Sequence, residues 1–578
     1  DLVWIKDRTQ SNYHIWTDSV RGKGKQLYSN TTDLEGSYSD RITSFDANGF
    51  SLGTGASGGV NQNNNNYVAW GWDAGNLVTS STYNQSQTWT NSLTGLGLTG
   101  ADNAFDGETS SIAQSPNNAS ANLILTYTFT NVTSLRVYAS NPTSNEMRLN
   151  NTGSYTAESS LGASSNAGWR TLTSLIPGNG TVTHIEARTT TGSGVNWAAI
   201  EVNGKILVNP GIIPAGSLNN ASYNTAGWVA STTVSNLYGS HSLSSIFNGV
   251  PTGHIHGSQG NTLTLSWAEG TINGHVRVKA RKAGTSSNMQ YKVHGETSAA
   301  PTVVLPNNGN ADWYDLGNID LSHLYAPHPS SGNAVIIHAI ELDGKILIDS
   351  GQTPPNIPHV SSKVSANPTT GFSVVSYTAA GGTINIGHGL GAKPSFIILK
   401  SRNSTGDWLV GHDAFSEIDF LKLNLPQGNS SNASNVFLGT FDDTFLVGDD
   451  AGINTNGHQK IAYVWTPIEG FSDFGTYQGN GSASGPFIHT GFRPALVIFK
   501  GANSSHWLMM DDARDPVNDL QNHLHPNLSN AEAVASDRCD FLANGFRPRA
   551  NYGESNSSGI DYLYAAWAQH PLKYARAR

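Results

Sequence analysis

The sequence predicts an all-β protein made of tandem β-sandwich domains, jelly-roll or concanavalin-like, in two repeat families. Apolar runs of about four to eight residues alternate with Gly, Asn and Ser clusters, and no long apolar stripe of helical period occurs. Charged residues make up 13% of the 578, with 62 glycines, against roughly 25% charged in ordinary soluble proteins. Solubility therefore rests on amides and hydroxyls. Related segments also recur, one unit three times and another twice.

The first unit is organised around a strand that ends on lysine. GFRPALVIFK ends at Lys500, GAKPSFIILK at Lys400, and DLVWIK opens the chain and ends at Lys6. Each is followed by a tryptophan in a second apolar run, with 64 residues from Lys6 to Trp70, 65 from Lys400 to Trp465 and 67 from Lys500 to Trp567. Residues 1–75 read as a truncated copy, because the GFSxxxY strand and Gly-rich turn that precede the other two are missing. The numbered chain is accordingly expected to be part of a longer protein. The complete copies span 371–470 and 471–578, as two units or one continuous sandwich, after a Pro- and Ser-containing linker at 353–370.

The second unit occupies 76–210 and 211–352. NAFDGE around Phe105 matches SIFNGV around Phe247, and AIEVNGKILVNP matches AIELDGKILIDS. The Asn203-Gly204 and Asp343-Gly344 pairs lie between alternating apolar residues, the pattern of a two-residue hairpin.

Candidate chemistry is sparse. A formal net charge of −10 with no basic cluster argues against nucleic acid as a partner. One cysteine, Cys539, excludes an intrachain disulfide framework. No apolar run reaches the length of a membrane span, so membrane insertion is not expected. His254 and His256 share a strand face, with His323, His328 and His338 downstream, yet no third ligand follows at a recognisable spacing. Asp442, Asp443, Asp449 and Asp450, and likewise Asp511, Asp512 and Asp515, fit turns as readily as a calcium site. No metal, cofactor or catalytic residue is assigned. Trp89 and Trp228 occupy corresponding places in the second repeat and are the candidate glycan-stacking residues, weighed against a core role that recurrence favours for them and for Trp408 and Trp507.

The segment GFSVVSYTAAGGTINIGHGLGAKPSFIILKSR and the ending WAQHPLKYARAR resemble a repeat of virion appendage proteins from marine tailed phages, notably those of cyanobacteria. The resemblance covers residues 1–75 and 371–578 and implies concanavalin- or laminin-G-like sandwiches in a tail fibre or other exposed virion protein. The middle pair is similar to discoidin-like jelly rolls, which bind glycans through loops at one end. The resemblance implies a non-catalytic structural protein on the virion surface, a homotrimer, with host-surface glycan and other virion proteins as partners. A polysaccharide-degrading tail spike and a secreted bacterial adhesin or filament subunit are the alternatives.

Overall fold

A computed structural model describes residues 1–569 apart from 56–58, 76–82, 109–110, 118–119, 140–144, 163–166, 191–193, 216–222, 249–253, 283–287, 298–299, 307–310, 331–333, 350–356, 415–418, 429 and 432–435. The last residues of WAQHPLKYARAR and the start of the 353–370 stretch thus lie outside the described residues. The chain is all β, in many sheets arranged as tandem sandwiches. It divides into two compact units, 1–217 with 358–578, and 218–357.

In the first unit the three lysine-ended strands are equivalent. Leu2–Asp7 pairs with Ile15–Asp18 and Tyr67–Trp72, Phe396–Ser401 with Leu409–His412 and Gln459–Trp465, and Pro494–Gly501 with Leu508–Asp511 and Asp561–Ala568. The register corrects the sequence alignment of the closing tryptophans. Leu2 faces Trp72, as Phe396 faces Trp465 and Leu496 faces Trp567. Trp72 is therefore the counterpart and Trp70 lies two residues out of register; a two-residue slip keeps the same sheet face, which is why the pattern concealed it.

Up to their lysines these strands are apolar because both of their faces are buried. Leu2 and Trp4, Phe396 and Ile398, and Leu496 and Ile498 enter one core common to all three copies. The alternate residues Val3 and Ile5 enter a core belonging to the first copy, and Val497 and Phe499 one belonging to the third. At the centre Trp72, Trp465 and Trp567 close a triangle with ring separations of 6.0, 5.3 and 5.9 Å. Large aromatics meeting edge to face supply both buried area and orientation.

Polar contacts close the same ring. The Trp408 indole donates to Tyr28 O (2.8 Å) and the Trp507 indole to Lys422 O (2.9 Å). Arg402 pairs with Glu35 at 3.0 Å, and the corresponding Arg8 pairs with Glu532 at 2.7 Å. Arg21, itself paired with Asp18, donates to the Tyr463 hydroxyl, and the Trp70 indole donates to Asp511. Each copy thus meets both others, and the three sandwiches share one core within a single chain.

The jelly roll between the first two copies has two sheets. One runs Thr156–Ala157, Asn145–Leu149, Val182–Thr189, Asn122–Phe129, Leu93–Thr94; the other runs Gly168–Thr171, Leu135–Ala139, Asn196–Val202, Lys205–Leu207, Tyr83–Asn84. Its chain then adds Ile212–Ile213 to the edge of the second copy's sheet, against Ser362–Asn367. That strand corrects the predicted linker at 353–370. Val364 and Ala366 alternate inward from it, and it also pairs with Phe372–Thr378. Ala215 N donates to Ser361 Oγ at 3.1 Å, so the first unit releases and recovers the chain at one place.

The second unit is the other jelly roll, with the same strand order. Thr302–Val303, Met289–Val293, the end of Asp312–His328, Asn261–Ser266 and Thr233–Ser235 form one sheet. The beginning of Asp312–His328, then Asn273–Lys282, Val335–Leu342, Lys345–Asp349 and Tyr223–Ala226 form the other. One 17-residue strand here replaces two strands of the first jelly roll. Both predicted hairpin pairs have positive φ at each position, 52° and 76° at Asn203-Gly204 and 51° and 76° at Asp343-Gly344, as a type I′ turn demands.

Candidate functional site: the solvent face of each jelly roll

The candidate glycan-stacking tryptophans are core residues. Trp89 is fully buried, stacks on Phe129 at 5.6 Å and donates its indole N–H to Asn84 O. Trp228 is buried in the equivalent core of the second unit. Each opens a short helical turn whose first side chain plugs the sandwich. Neither offers a ring face to a sugar. Trp408 and Trp507 are also buried, between copies of the first repeat.

Two concave solvent-facing surfaces lie elsewhere, at equivalent places in the two jelly rolls. In the first, a cavity of about 470 Å³ is lined by Ser120, Asn122, Tyr155, Glu186, Arg188 and Thr190. In the second, one of about 520 Å³ is lined by Asn236, Thr262, Thr264, Gln290, Lys292 and Tyr325. Strand register shows the correspondence. Ile124 faces Glu186, which faces Arg148 across the other edge, just as Thr264 faces Tyr325, which faces Gln290. Strand alternation sends Leu123 and Leu125, and Leu263 and Leu265, into the cores, leaving the intervening residues on the solvent face.

The two linings differ in charge. In the first, Arg148 pairs with Glu186 at 2.6 Å and Arg188 with Glu146 at 2.9 Å, while both guanidiniums lie over the Tyr155 ring. Burial alone would raise the Glu186 carboxyl, but hydrogen bonds from Arg148 and Tyr155 outweigh it and hold the group below its ordinary value. Glu186 is thus an ionised, paired carboxylate. Among the described residues the second lining has no acidic member.

The sequence-flagged histidines do come together. His254 lies 5.6 Å from His338 and 6.4 Å from His256, His256 lies 5.3 Å from His328, and His241 joins at 5.1 and 4.5 Å from His254 and His256. His241 carries no motif and was not legible as a member. His323 stands apart, stacked on Tyr325. Among the described residues no group of three or more His, Cys, Asp or Glu is arranged to hold a metal ion. Several flagged aspartates serve local structure: Asp450 caps a helical turn through Gly452 N, Asp511 pairs with Arg514, and Asp515 accepts from the Gln521 and Asn522 amides. Cys539 is buried.

Three imidazoles, His241, His388 and His14, make the fold acid-sensitive. Burial, then the neighbouring His256 and His254, push His241 below 6.5; burial takes His388 down to about 4 and holds His14 well below its ordinary value. A depressed folded pKa means that the unfolded chain takes up the proton first, so this stability is present above about pH 6.5 and lost as pH falls towards 4. For His388 alone the loss is on the order of 3 kcal/mol. Thermal scans at pH 7.5, 6.0 and 4.5 should show Tm falling at each step; an unchanged Tm between 7.5 and 4.5 would refute this.

A family model described as a domain of unknown function (DUF7483) matches residues 1–184 and 350–571. The unmatched stretch contains every strand of the second jelly roll, from Tyr223 to Asp349. No curated protein matches the chain. Among solved structures, a mutant of the arabinofuranosyltransferase AftD from mycobacteria is similar at 9% identity and a TM-score of 0.18, over 82% of this chain and 42% of that one. The unmutated AftD gives 9% and 0.17 over 81% and 40%. The chain spans less than half the length of these neighbours. A mutant of the enterotoxigenic E. coli adhesin CfaE gives 9% and 0.08, over 53% and 88%. At such TM-scores none of these likenesses assigns a fold. No helix among the described residues is long and apolar enough to cross a membrane.

Proposed function

The chain belongs to the DUF7483 family, and we propose that it is a non-catalytic virion-surface protein of a tailed phage whose jelly rolls bind host-surface glycan. The observation that carries the reading is the pair of polar cavities on corresponding sheet faces. Each falls within the roughly 300–1,000 Å³ range of small-ligand sites. Each offers hydroxyls, amides and one tyrosine, the groups that hydrogen-bond sugar hydroxyls and contact their C–H faces. The ionised, paired state of Glu186 suits binding, since a glycosidic general acid needs a carboxyl with its pKa raised.

The fused three-copy core supports the carrier role. Sandwiches that share a core resist the independent motion that separate domains on linkers would have. The virion location, contacts with other virion proteins and association of chains into a trimer belong to the same proposal. The apolar faces at which the three copies meet are buried inside one chain, so contacts between chains would use other surfaces.

Glycan-array binding by the full chain, with and without EDTA, tests the reading. Binding that survives EDTA is expected, because neither cavity lining gathers a cation-ligating carboxylate set. Binding abolished by EDTA, or reducing sugar released from a bound polysaccharide, would contradict it.

A further inference from the structure

We propose that the cavity of the second jelly roll is a site for anionic saccharide, a sugar bearing a carboxylate or sulfate, with Lys292 as the anion-binding residue; this rests on the glycan-binding reading above. The argument begins with register. Lys292 faces His323, and the next solvent-facing pair across the same two strands is Gln290 with Tyr325. Thr264 flanks Tyr325 from the other side, and Ser266 flanks His323. The result is an ammonium, an amide, hydroxyls and a tyrosine ring on one patch of sheet.

The charges at the two cavities settle what each can hold. At the first, both guanidiniums are satisfied by Glu186 and Glu146, and an incoming anion would have to displace a carboxylate. Around the second, no carboxylate lies within ion-pair distance of the Lys292 ammonium among the described residues. His323 lies opposite Lys292 on the paired strand; burial, then Lys292 and His294, hold it below its ordinary value, so it is a neutral ring at pH 7. An ammonium with no ion-pair partner among the described residues, on a half-buried side chain beside neutral hydrogen-bonding groups, favours a ligand that brings one negative charge with many hydroxyls.

The remaining geometry suits a sugar over a bare anion. Tyr325 stacks on His323, 8° between planes and 5.7 Å between centroids, so the imidazole backs the tyrosine ring on the strand that pairs with that of Lys292. Gln290 and Thr302 are already joined through Gln290 Nε2 at 3.3 Å, which fixes the amide at the rim. A pyranose held in this cavity beside Tyr325 would turn a ring substituent towards Lys292, on the paired strand.

The test uses the full chain and soluble polymers. Titration with polygalacturonate, dextran sulfate and neutral dextran should give anionic binding that weakens with salt. Affinity for the anionic polymers should fall at least tenfold in Lys292→Met and be largely kept in Lys292→Arg. Lys345→Met, an exposed lysine on the other sheet, should change it less than twofold. Polygalacturonate alone bound would identify the carboxylate form, dextran sulfate alone the sulfate form. Equal losses in Lys345→Met and Lys292→Met, or no effect of Lys292→Met, would overturn the site. Neutral glycans bound on the array without either anionic polymer would overturn this inference and leave glycan binding standing. No glycan bound at all would overturn both.

Discussion

Trp465→Ala is expected to destabilise the first unit by about 3–5 kcal/mol and to loosen all three copies of the repeat together. Trp465 is buried against Phe372 and Phe396 of its own copy, at 4.9 and 5.5 Å, and against Trp72 and Trp567 of the other two, at 6.0 and 5.9 Å. Removing the indole leaves a cavity that no one copy can close, because its walls belong to three. Hydrogen exchange should show lost protection in Leu2–Asp7 and Pro494–Gly501 as well as in Phe396–Ser401. Loss confined to the second copy would mean that the copies fold independently and that the common core is only a contact.

The second large effect is expected at the lysines that end the organising strands. Lys500 is 1% exposed, and its ammonium shares its three N–H donors among four carbonyls, those of Gly501, Asn503, Ser505 and, in the neighbouring copy, Pro426. Lys400 does the same for Gly406 and, in the first copy, Thr32. Lys500→Met keeps the volume and removes the donors. Each carbonyl left buried without a partner costs about 1–3 kcal/mol, partly offset by no longer burying a charge, so a net loss of about 2–4 kcal/mol is expected. Denaturant titration measures it directly, and an unchanged midpoint would show that the carbonyls find other partners.

The same lysines have a pH signature. Burial brings Lys6, Lys400 and Lys500 down to about 8. Between about pH 8 and 10.5 the unfolded chain therefore holds more protons than the folded one, and their contribution makes stability rise with pH in that window. Wild type should gain more between pH 7.5 and 9.5 than Lys500→Met does.

Much of this was legible in the amino-acid order, and the limits have physical causes. The all-β class, the two repeats and the Asn203-Gly204 and Asp343-Gly344 turns follow from local pattern. Burial on both faces was written there too: LVWIK, SFIILK and ALVIFK lack the polar alternation of a half-exposed strand. What covers the second face could not be read, because the partner is another copy hundreds of residues away. The slip from Trp72 to Trp70 shows how a strand repeat of two tolerates the wrong neighbour on the right face. Trp89 and Trp228 drew attention by recurring, and recurrence reflected packing. The cavities escaped notice because Asn122, Tyr155 and Glu186, like Thr264, Lys292 and Tyr325, meet only when strands far apart in sequence pair. The buried lysine was the readable signal that went unused: a cation repeated at the end of three apolar strands marks a fixed set of acceptors.

The most direct test of the account is the affinity of the full chain for its best array glycan, compared with that of a Tyr155→Ala, Tyr325→Ala variant. If the sheet-face cavities hold saccharide, removing the tyrosine from each should weaken binding at least tenfold while Tm stays within a few degrees. Undiminished affinity in a folded double variant would place the binding surface elsewhere and contradict the account.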